Sequence, residues 1–483
     1  MRRRKVSLTR RHLLALAAIS LLIFSAGCSD RDPAALEAAR ATVDPLVFDD
    51  DYAPDAYFQP FFQTNYTAAS LDSVFAYGGF APDGDRSLKF HIAPIGSALG
   101  PWTGGVITSS GSRDLADFNA LTFYARANNP LLLDVAGFGN DNTGTSLYEA
   151  GRANIALTSE WAFIVIPIPA PSKLISERGL FTFAEAPQFP DGYDIWVDEI
   201  RFAKLDNIED PRADMGYSRQ KYFVGAKVTI GSTSTTKFAV NGEDISVSHS
   251  PYYFDFHSDD ETVARVDGND ILLVGPGTAT VTAKLDTVPA IGYAKLTVYE
   301  PPATVADPPS LPAGDVISMF SSVYNDVPVD TWWTEWSKSG PVQDFEVAGH
   351  ITKMYTFSDG EHYAGIEFMN PTIDASEMTH LHLDIYAPEG TDFRVKLGSF
   401  PNGLTPADPH PETLELILNE TSVPPFTYGE WVSLDIPLAD FQIDPSKPGE
   451  WDWSEIGHII IGTVLVGTSK TPLVLVDNVY WHK

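Results

Sequence analysis

The sequence predicts an all-β protein that contains a duplicated β-sandwich. Two distant segments, residues 197–202 and 476–481, share one strand pattern, Val-Asp-(Glu/Asn)-(Ile/Val)-x-aromatic. The strands upstream repeat in the same order, so that residues 121–138 correspond to residues 381–400. Short alternating strands separated by turns, repeated over this length, indicate two copies of one β-sandwich.

A third correspondence lies between these strands. Residues 159–168 and 429–438 both place Glu-Trp before an alternating strand that ends on Ile-Pro. The composition agrees with β structure, because 28 Phe, 19 Tyr and 10 Trp suit half-buried sheet surfaces, while 36 Gly and 36 Pro suit turns. No segment shows a long helical period, which favours a chain that is nearly all β.

Residues 1–27 have the organisation of a removable export signal. Six basic side chains accompany an apolar run, Leu13 to Phe24, that is too short for an ordinary membrane-spanning helix. The chain then reads Ser-Ala-Gly before Cys28, its only cysteine, which resembles a bacterial lipoprotein processing site with Ser where Leu or Val is usual. We expect lipidation at Cys28, a spacer over residues 28–44 and a location at the outer membrane or cell surface. The alternative is cleavage near Ala26 without lipidation. Residues 9–14 also bear a weak resemblance to a twin-arginine export signal.

The net charge of the protein is strongly negative. It is −32 for the whole chain and becomes −38 once residues 1–27, which hold six basic and no acidic side chains, are removed. A protein of this charge repels nucleic acid and anionic polysaccharides, so neither is an expected partner.

The region between the two copies differs from both. Over residues 210–300 it consists of short alternating strands punctuated by Gly and Asp, and residues 275–282 read Gly-Pro-Gly-Thr-Ala-Thr-Val-Thr. This pattern resembles the bacterial immunoglobulin-like group 2 domain, which usually serves as a stiff spacer. A proline-rich, semi-rigid linker follows at residues 301–313. The two copies themselves are expected to span residues 45–206 and 314–483.

Tryptophans cluster near the start of the second copy. Trp332, Trp333 and Trp336 fall within five positions, beside Asp330 and Glu335. Three indoles so close in sequence are hard to bury together, because each carries an N–H group that needs a partner. Flat aromatic faces stack on pyranose rings while neighbouring carboxylates hydrogen-bond the hydroxyls, so the cluster predicts an open sugar site. The alternative is that these indoles belong to the core.

The second copy resembles the carbohydrate-binding modules of β-glucan hydrolases and surface glycan-binding lipoproteins of marine bacteria. The resemblance is carried by the opening Val-Ile-Ser-x-Phe-Ser at residue 316 and by the closing Val-Leu-Val-Asp-Asn-Val-Tyr-Trp at residue 474. It implies two jelly-roll β-sandwiches separated by an immunoglobulin-like β-sandwich, and non-catalytic binding of β-glucans such as laminarin. The sugar-binding residues that it implies are Trp332, Trp333, Trp336 and Tyr363. Since the first copy lacks the tryptophan cluster, its ligand stays open.

The same resemblance implies structural calcium, bound between the last and first strands of a sandwich. Hard oxygen ligands suit Ca²⁺. In the second copy Asp477 would meet Ser321 and Asp326, and in the first copy Asp198 would meet Asp50. The alternative is that each last-strand aspartate hydrogen-bonds a turn.

Catalysis is not expected. Glycoside hydrolysis needs two carboxylates across a cleft, about 5–5.5 Å or 6.5–9.5 Å apart, and acidic residues are too numerous here for spacing to select a pair. The chain has no Gly-x-Ser-x-Gly elbow, no His-Glu-x-x-His zinc motif and no phosphate-binding glycine loop. A jelly-roll lyase is the main catalytic alternative, but such enzymes neutralise uronates with basic residues, in which this chain is poor.

The sequence therefore predicts a lipid-anchored surface protein that binds a neutral β-glucan by aromatic stacking. Capture would raise the local polysaccharide concentration for separate hydrolases and an importer, and two sandwiches on one polymer would gain effective concentration. The contrasting hypothesis is a structural or adhesive lipoprotein whose sandwiches contact other proteins.

Overall fold

The computed structural model describes residues 41–61, 86–98, 100–228, 230, 234–357, 363–462 and 472–483. The expected signal peptide, Cys28 and the spacer up to residue 40 lie outside these residues. Within them the all-β prediction is confirmed, because strands dominate and the helical segments are single 3-10 turns, at Pro171–Lys173, Pro251–Tyr253, Ala313–Asp315, Pro401–Gly403 and Leu438–Asp440. No helix in this part of the chain is both long and apolar enough to cross a membrane.

The first sandwich consists of two facing sheets. Its strands are β1 (Leu46–Asp49), β2 (Asp51–Tyr52), β3 (Ala56–Pro60), β4 (Leu88–Ile92), β5 (Thr103–Arg113), β6 (Ala120–Ala127), β7 (Leu131–Phe138), β8 (Ala150–Leu157), β9 (Ala162–Pro167), β10 (Glu177–Glu185) and β11 (Tyr193–Ala203). Sheet I has the order β2-β1-β11-β6-β9, with β4 also paired to β11. The facing strands have the order β3-β5-β10-β7-β8 and belong to a larger sheet.

The middle segment, residues 208–299, continues that larger sheet, and we call it the immunoglobulin-like module after the resemblance of its sequence. Its strands are β12 (Ile208–Phe223), β13 (Thr235–Val240), β14 (Glu243–His249), β15 (Asp255–Ser258), β16 (Ala264–Asp267), β17 (Asp270–Leu273), β18 (Gly277–Leu285), β19 (Val288–Pro289) and β20 (Ile291–Tyr299). Strand β14 pairs with β8, with Ser248 opposite Gly151 and His249 opposite Ala150. The resulting sheet II has the order β15-β18-β20-β12-β13-β14-β8-β7-β10-β5-β3, with β19 also on β18, while β16 and β17 form a separate pair.

The second sandwich again has two facing sheets. Its strands are β21 (Val316–Phe320), β22 (Gln343–Val347), β23 (His350–Thr356), β24 (Tyr363–Glu367), β25 (His380–Tyr386), β26 (Asp392–Ser399), β27 (Leu416–Asn419), β28 (Trp431–Pro437), β29 (Ile456–Gly462) and β30 (Leu473–His482). Sheet III has the order β22-β23-β30-β25-β28, with β21 paired to β30, and sheet IV has the order β24-β29-β26-β27.

Alternation along the strands decides which side chains are buried. In β26 the side chains of Phe393, Val395 and Leu397 lie in the core of the second sandwich, whereas Arg394 and Lys396 are only partly buried. Successive side chains of a strand point to opposite faces of the sheet, so one face is buried and the other is left outside. The outer face of sheet IV therefore carries the polar and charged side chains of its strands, such as those of Arg394 and Lys396.

The outer face of sheet III, by contrast, packs against the immunoglobulin-like module of the same chain. The ring of Phe223, at the end of β12, lies 5.6 Å from that of Phe345 and 5.9 Å from that of Tyr386, centroid to centroid. The indole Nε1 of Trp431 donates a hydrogen bond of 2.7 Å to the carbonyl of Thr304 in the proline-rich linker. Sheet IV lies on the opposite side of the sandwich from these contacts.

Candidate functional site

The outer face of sheet IV carries a cleft of about 240 Å³, which we call the sheet IV cleft. Aromatic, aliphatic and charged side chains share its lining, which consists of Trp336, Tyr363, Lys396, Glu412, Glu415, Lys447, Ile460, Ile461 and Gly462. A few polar groups placed around an apolar surface are the usual means of orienting a small bound ring.

Trp336 reaches this cleft because its segment runs along the edge strand β24. The backbone N–H of Lys338 donates to the carbonyl of Tyr363 at 2.9 Å, and that of Thr334 donates to the carbonyl of Gly365 at 3.2 Å. The indole lies across Gly365, where any side chain would collide with the ring. The glycine thus makes room for Trp336, which keeps 37% of its surface exposed.

Two further rings pack around Trp336: Tyr363 is partly exposed and lines the cleft, whereas His458 is buried. The ring centroid of Tyr363 is 6.2 Å away, with the planes tilted by 38°, and that of His458 is 5.5 Å away. Burial and the nearby His410 lower the pKa of His458 to about 4. At neutral pH His458 is therefore uncharged, and its Nε2 lies 3.0 Å from a carboxylate oxygen of Glu367, to which it can donate.

The charged side chains of the cleft hold one another in place. Glu412 forms ion pairs with Lys396 and with Lys447, whose Nζ lies 2.9 Å from the carboxylate, and Arg394 pairs with Glu415. Burial opposes the ionisation of Glu412, but hydrogen bonds from both lysines outweigh it and lower its pKa below the usual value. The cleft thus offers pre-oriented donors and acceptors, which are the stronger kind of hydrogen-bonding group.

The structure places Trp332 and Trp333 elsewhere. The indole Nε1 of Trp333 donates to Ser339 Oγ at 3.1 Å, and the ring is partly buried against the core. The ring of Trp332 packs edge-on against Phe320, at 5.6 Å between centroids. It lines a different cleft of about 920 Å³, between the second sandwich and the immunoglobulin-like module. Half of the predicted sugar-binding set therefore shares the sheet IV cleft.

The set of sugar-binding residues predicted from the sequence did not include the charged residues in and beside the cleft. Arg394 and Lys396 stand at alternate positions of a strand whose other positions are apolar, so the sequence does contain a signal for their outward placement. Glu412, Glu415 and Lys447 lie outside the strands, and the fold brings them to β26.

The equivalent sheet of the first sandwich carries a larger cleft, of about 650 Å³. Small residues such as Gly151, Ala153 and Ala184 line it, and Ser250 and Pro251 of the immunoglobulin-like module contribute to its wall. Its described lining includes no tryptophan. The two clefts therefore differ in shape and chemistry.

Asp198 has surroundings that suit a cation. It lies where the register of β11 shifts; its Oδ1 accepts the backbone N–H of Glu199 at 2.8 Å, and its buried Oδ2 has no hydrogen-bond partner in the described part of the chain. Burial, together with the negative charges of Asp50 and Asp49, raises the pKa of Asp198 to about 7. A buried oxygen without a partner, beside other carboxylates, fits calcium.

Asp477, at the same position of the second copy, does not fit a metal in this way. Its Oδ2 lies 2.9 Å from His350 Nε2. Asp326 accepts a hydrogen bond of 2.6 Å from Ser318, and Ser321 contacts the residue after Asp477, so the three expected ligands have separate partners. Among the described residues no group of three or more His, Cys, Asp or Glu side chains could hold a metal, so at Asp198 backbone carbonyls or water would have to complete the coordination.

Comparison with known proteins gives matches among solved structures. No family model and no curated protein matches the chain. The chain is similar to the family 11 carbohydrate-binding module of the cellulosomal cellulase Lic26A-Cel5E of Clostridium thermocellum, with 13% identity over 35% of this chain and 94% of that one and a TM-score of 0.26.

Two further structures match over more of the chain. The CBM22-1–CBM22-2 tandem of Paenibacillus barcinonensis Xyn10C shows 11% identity over 92% of this chain and 99% of that one, with a TM-score of 0.21. SGBP-B from a xyloglucan utilization locus of Bacteroides uniformis shows 12% identity over 79% and 96%, with a TM-score of 0.20. Likeness at this level says nothing about the ligand of this chain, which has to be inferred from its own residues.

Proposed function

We propose that this protein binds a polysaccharide in the sheet IV cleft and does not cleave it. The pairing of Trp336 with Tyr363 beside a fixed set of charged groups carries the proposal. A pyranose ring stacked on the indole directs its hydroxyls outward in the ring plane, where Lys396, Glu412 and Lys447 can hydrogen-bond them. Exposed aromatic rings next to oriented polar groups suit a polysaccharide better than they suit an apolar ligand, because a sugar ring has both apolar faces and hydroxyl groups.

The ligand is a neutral β-glucan, such as laminarin or a mixed-linkage glucan. The cations in and beside the cleft are matched by carboxylates, three against three: Lys396 and Lys447 pair with Glu412, and Arg394 pairs with Glu415 and Asp392. They leave no excess positive charge for a uronate, and the net charge of −32 repels anionic polymers.

Binding without cleavage follows from the state of the two glutamates. A glycosidase needs a carboxylic acid that is protonated at working pH, with a raised pKa, to protonate the leaving oxygen. Glu412 has a lowered pKa, and Glu415 is paired with Arg394. Glu412 is therefore not suited to act as the general acid, and Glu415 is engaged in its ion pair.

The setting of this function is the outer membrane or cell surface. Lipid on Cys28 anchors the chain there, the immunoglobulin-like module spaces the second sandwich from the first, and captured glucan passes to separate hydrolases or an importer. Calcium at Asp198, Asp50 and neighbouring backbone oxygens has a structural role in the first sandwich.

Affinity electrophoresis tests the proposal. The full chain, Trp336→Ala/Tyr363→Ala and the control Tyr428→Ala are run in gels that contain laminarin, barley mixed-linkage β-glucan or alginate. Tyr428 is 55% exposed on the same sandwich and does not line the cleft. We expect the wild type and the control to be retarded by at least one glucan and not by alginate, and the double variant to bind roughly tenfold more weakly.

Equal mobility of the double variant and the wild type in the retarding gel would remove the sheet IV cleft as the site. Equal mobility of every chain in every gel would favour the adhesive hypothesis.

A further inference from the structure

A second aromatic surface lies on the outer face of sheet I, on the first sandwich. Tyr124 and Phe163 have ring centroids 5.1 Å apart, and the guanidinium of Arg126 lies 4.6 Å from the ring centroid of Trp196 and 5.4 Å from that of Trp161. We call these five side chains the outer strip. Phe163 keeps 51% of its surface exposed, and the other four are partly exposed.

Strand register assembles the outer strip. Trp196 on β11 stands opposite Arg126 on β6, and Tyr124 on β6 stands opposite Phe163 on β9. Their strand neighbours, among them Ile195 and Val197, fill the core of the sandwich. Because side chains alternate along a strand, the outer strip faces away from that core.

In the second sandwich, the face that corresponds to the outer strip is the outer face of sheet III, and other parts of the chain pack on it. The shared strand patterns align Trp196 with Leu475 and Trp161 with Trp431. Leu475 is buried in the core that includes the immunoglobulin-like module, and Trp431 hydrogen-bonds the linker carbonyl of Thr304. The face of sheet III is thus covered by the chain itself, whereas on sheet I, within the described part of the chain, the ring of Phe163 stays half exposed.

The outer face of sheet I has charged side chains at positions where the outer face of sheet III has buried apolar ones. Asp194 aligns with the buried Leu473, and Lys89, opposite Trp196, takes the place of the buried Met354, opposite Leu475. The Nζ of Lys89 lies 2.7 Å from Asp194 Oδ2. The cores of protein interfaces are depleted of charged residues, so this face is poorly suited to dock another module in the way sheet III does.

We infer that the outer strip is a second polysaccharide-binding surface, on the side of the first sandwich away from its cleft. The exposed phenyl ring of Phe163 gives a flat face for a sugar ring, the partly exposed indoles, which contact Arg126, extend this surface, and Lys89 and Asp194 give hydrogen-bonding groups at its edge. The ligand class rests on the proposed function, since one polymer is expected to span both sites. Two sites on one chain raise the apparent affinity for a long polymer through effective concentration.

The test uses four full-length chains: wild type, Trp336→Ala/Tyr363→Ala, Trp161→Ala/Phe163→Ala and the combination of all four substitutions. They are compared by affinity electrophoresis in laminarin and in barley mixed-linkage β-glucan, with melting curves to verify folding. Tyr217→Ala is the control, because Tyr217 is 70% exposed on the immunoglobulin-like module. We expect Trp161→Ala/Phe163→Ala to lower the apparent affinity about tenfold, and the combined variant to fall below either double variant.

A position-specific readout accompanies the gels. In the Trp336→Ala/Tyr363→Ala chain, oxidation of Trp161 by N-bromosuccinimide is followed by mass spectrometry with and without the retarding glucan. We expect the glucan to slow oxidation at least threefold.

The two proposals fail separately. If Trp161→Ala/Phe163→Ala migrates as the wild type and the glucan leaves Trp161 oxidation unchanged, the outer strip is not a binding surface, whatever the sheet IV cleft does. If the Trp336→Ala/Tyr363→Ala chain migrates as the wild type while the outer-strip variant does not, the sheet IV cleft fails and the outer strip stands.

Discussion

Asp198 and Asp477 occupy the same position in the last strands of their sandwiches, but their carboxylates have different surroundings. The Oδ2 of Asp477 lies 2.9 Å from His350 Nε2, whereas the Oδ2 of Asp198 is buried with no hydrogen-bond partner among the described residues. The duplication has thus kept the aspartate and changed its surroundings. Calcium is expected beside Asp198 in the first copy, whereas in the second copy His350 Nε2 lies within hydrogen-bonding distance of the corresponding carboxylate oxygen.

Calcium should therefore stabilise the protein through Asp198. After chelator treatment, added CaCl₂ is expected to raise the melting temperature by about 3–6 °C, because a ligand that binds only the folded state stabilises it. Asp198→Asn should abolish the increase, and Asp477→Asn, the matched control, should retain it. An equal increase in all three chains would place the calcium elsewhere, and no increase in the wild type would exclude it.

Without calcium, Asp198 should make stability depend on pH in an identifiable direction. Burial raises its pKa from the ordinary value of 3.8 to about 7. The folded state then holds a proton that the unfolded state has lost, so stability falls as pH rises from about 4 to 7 and stays low above that window.

The comparison of wild type with Asp198→Asn isolates this effect. In chelator, the variant should be more stable by about 2 kcal/mol at pH 8 and should lose that advantage near pH 4. Glu177, whose pKa burial also raises to about 7, contributes a slope of the same sign to both chains and cancels in the difference. A difference in the free energy of unfolding that does not change from pH 4 to pH 8 would contradict the buried, proton-bearing state.

Gly365 should affect glycan binding indirectly, because it leaves the space in which the indole of Trp336 lies. Gly365→Ala places a methyl group where the ring of Trp336 lies, so the indole must move away from β24. We expect at least a fivefold loss of glucan affinity in isothermal titration, by loss of stacking surface. Gly111→Ala is the control, because a Cβ there meets nothing within 4 Å. Unchanged affinity in Gly365→Ala would mean that the position of this indole does not matter for binding.

Local pattern and long-range pairing contribute differently to what the sequence can predict. The all-β fold follows from alternation such as that of β26, where Phe393, Val395 and Leu397 turn inward, and this part of the prediction is confirmed. Alternation also predicts which face Arg394 and Lys396 occupy. It cannot predict their partners Glu415 and Glu412, because these residues reach β26 through loops whose path depends on the whole sheet.

The tryptophans show the same limit. Trp332 and Trp336 lie four residues apart in an irregular segment without strand periodicity, so nothing local says that they line different clefts. Their orientations depend on the pairing of that segment with β24, which is distant in sequence. Conversely, Trp161 and Trp196 are 35 positions apart in the numbering and share Arg126 because β9, β6 and β11 are neighbours in sheet I.

Phe223 should determine whether the immunoglobulin-like module and the second sandwich move as one body. It is fully buried, and its ring contacts Phe345 and Tyr386 on sheet III. Phe223→Ala would leave a cavity at this junction and is expected to cost about 3–5 kcal/mol of local stability.

Because the modules of this chain can unfold separately, a melting temperature would not report on this one junction, so the measurement is local. Hydrogen exchange should accelerate in β22 and β23, and protease should cut the linker at residues 301–313 sooner, while sheet I stays protected. Tyr217→Ala removes a 70% exposed ring from the same strand and should change neither rate. If Phe223→Ala exchanges and is cut like the control, the junction is held by other contacts, such as the hydrogen bond from Trp431 to the linker.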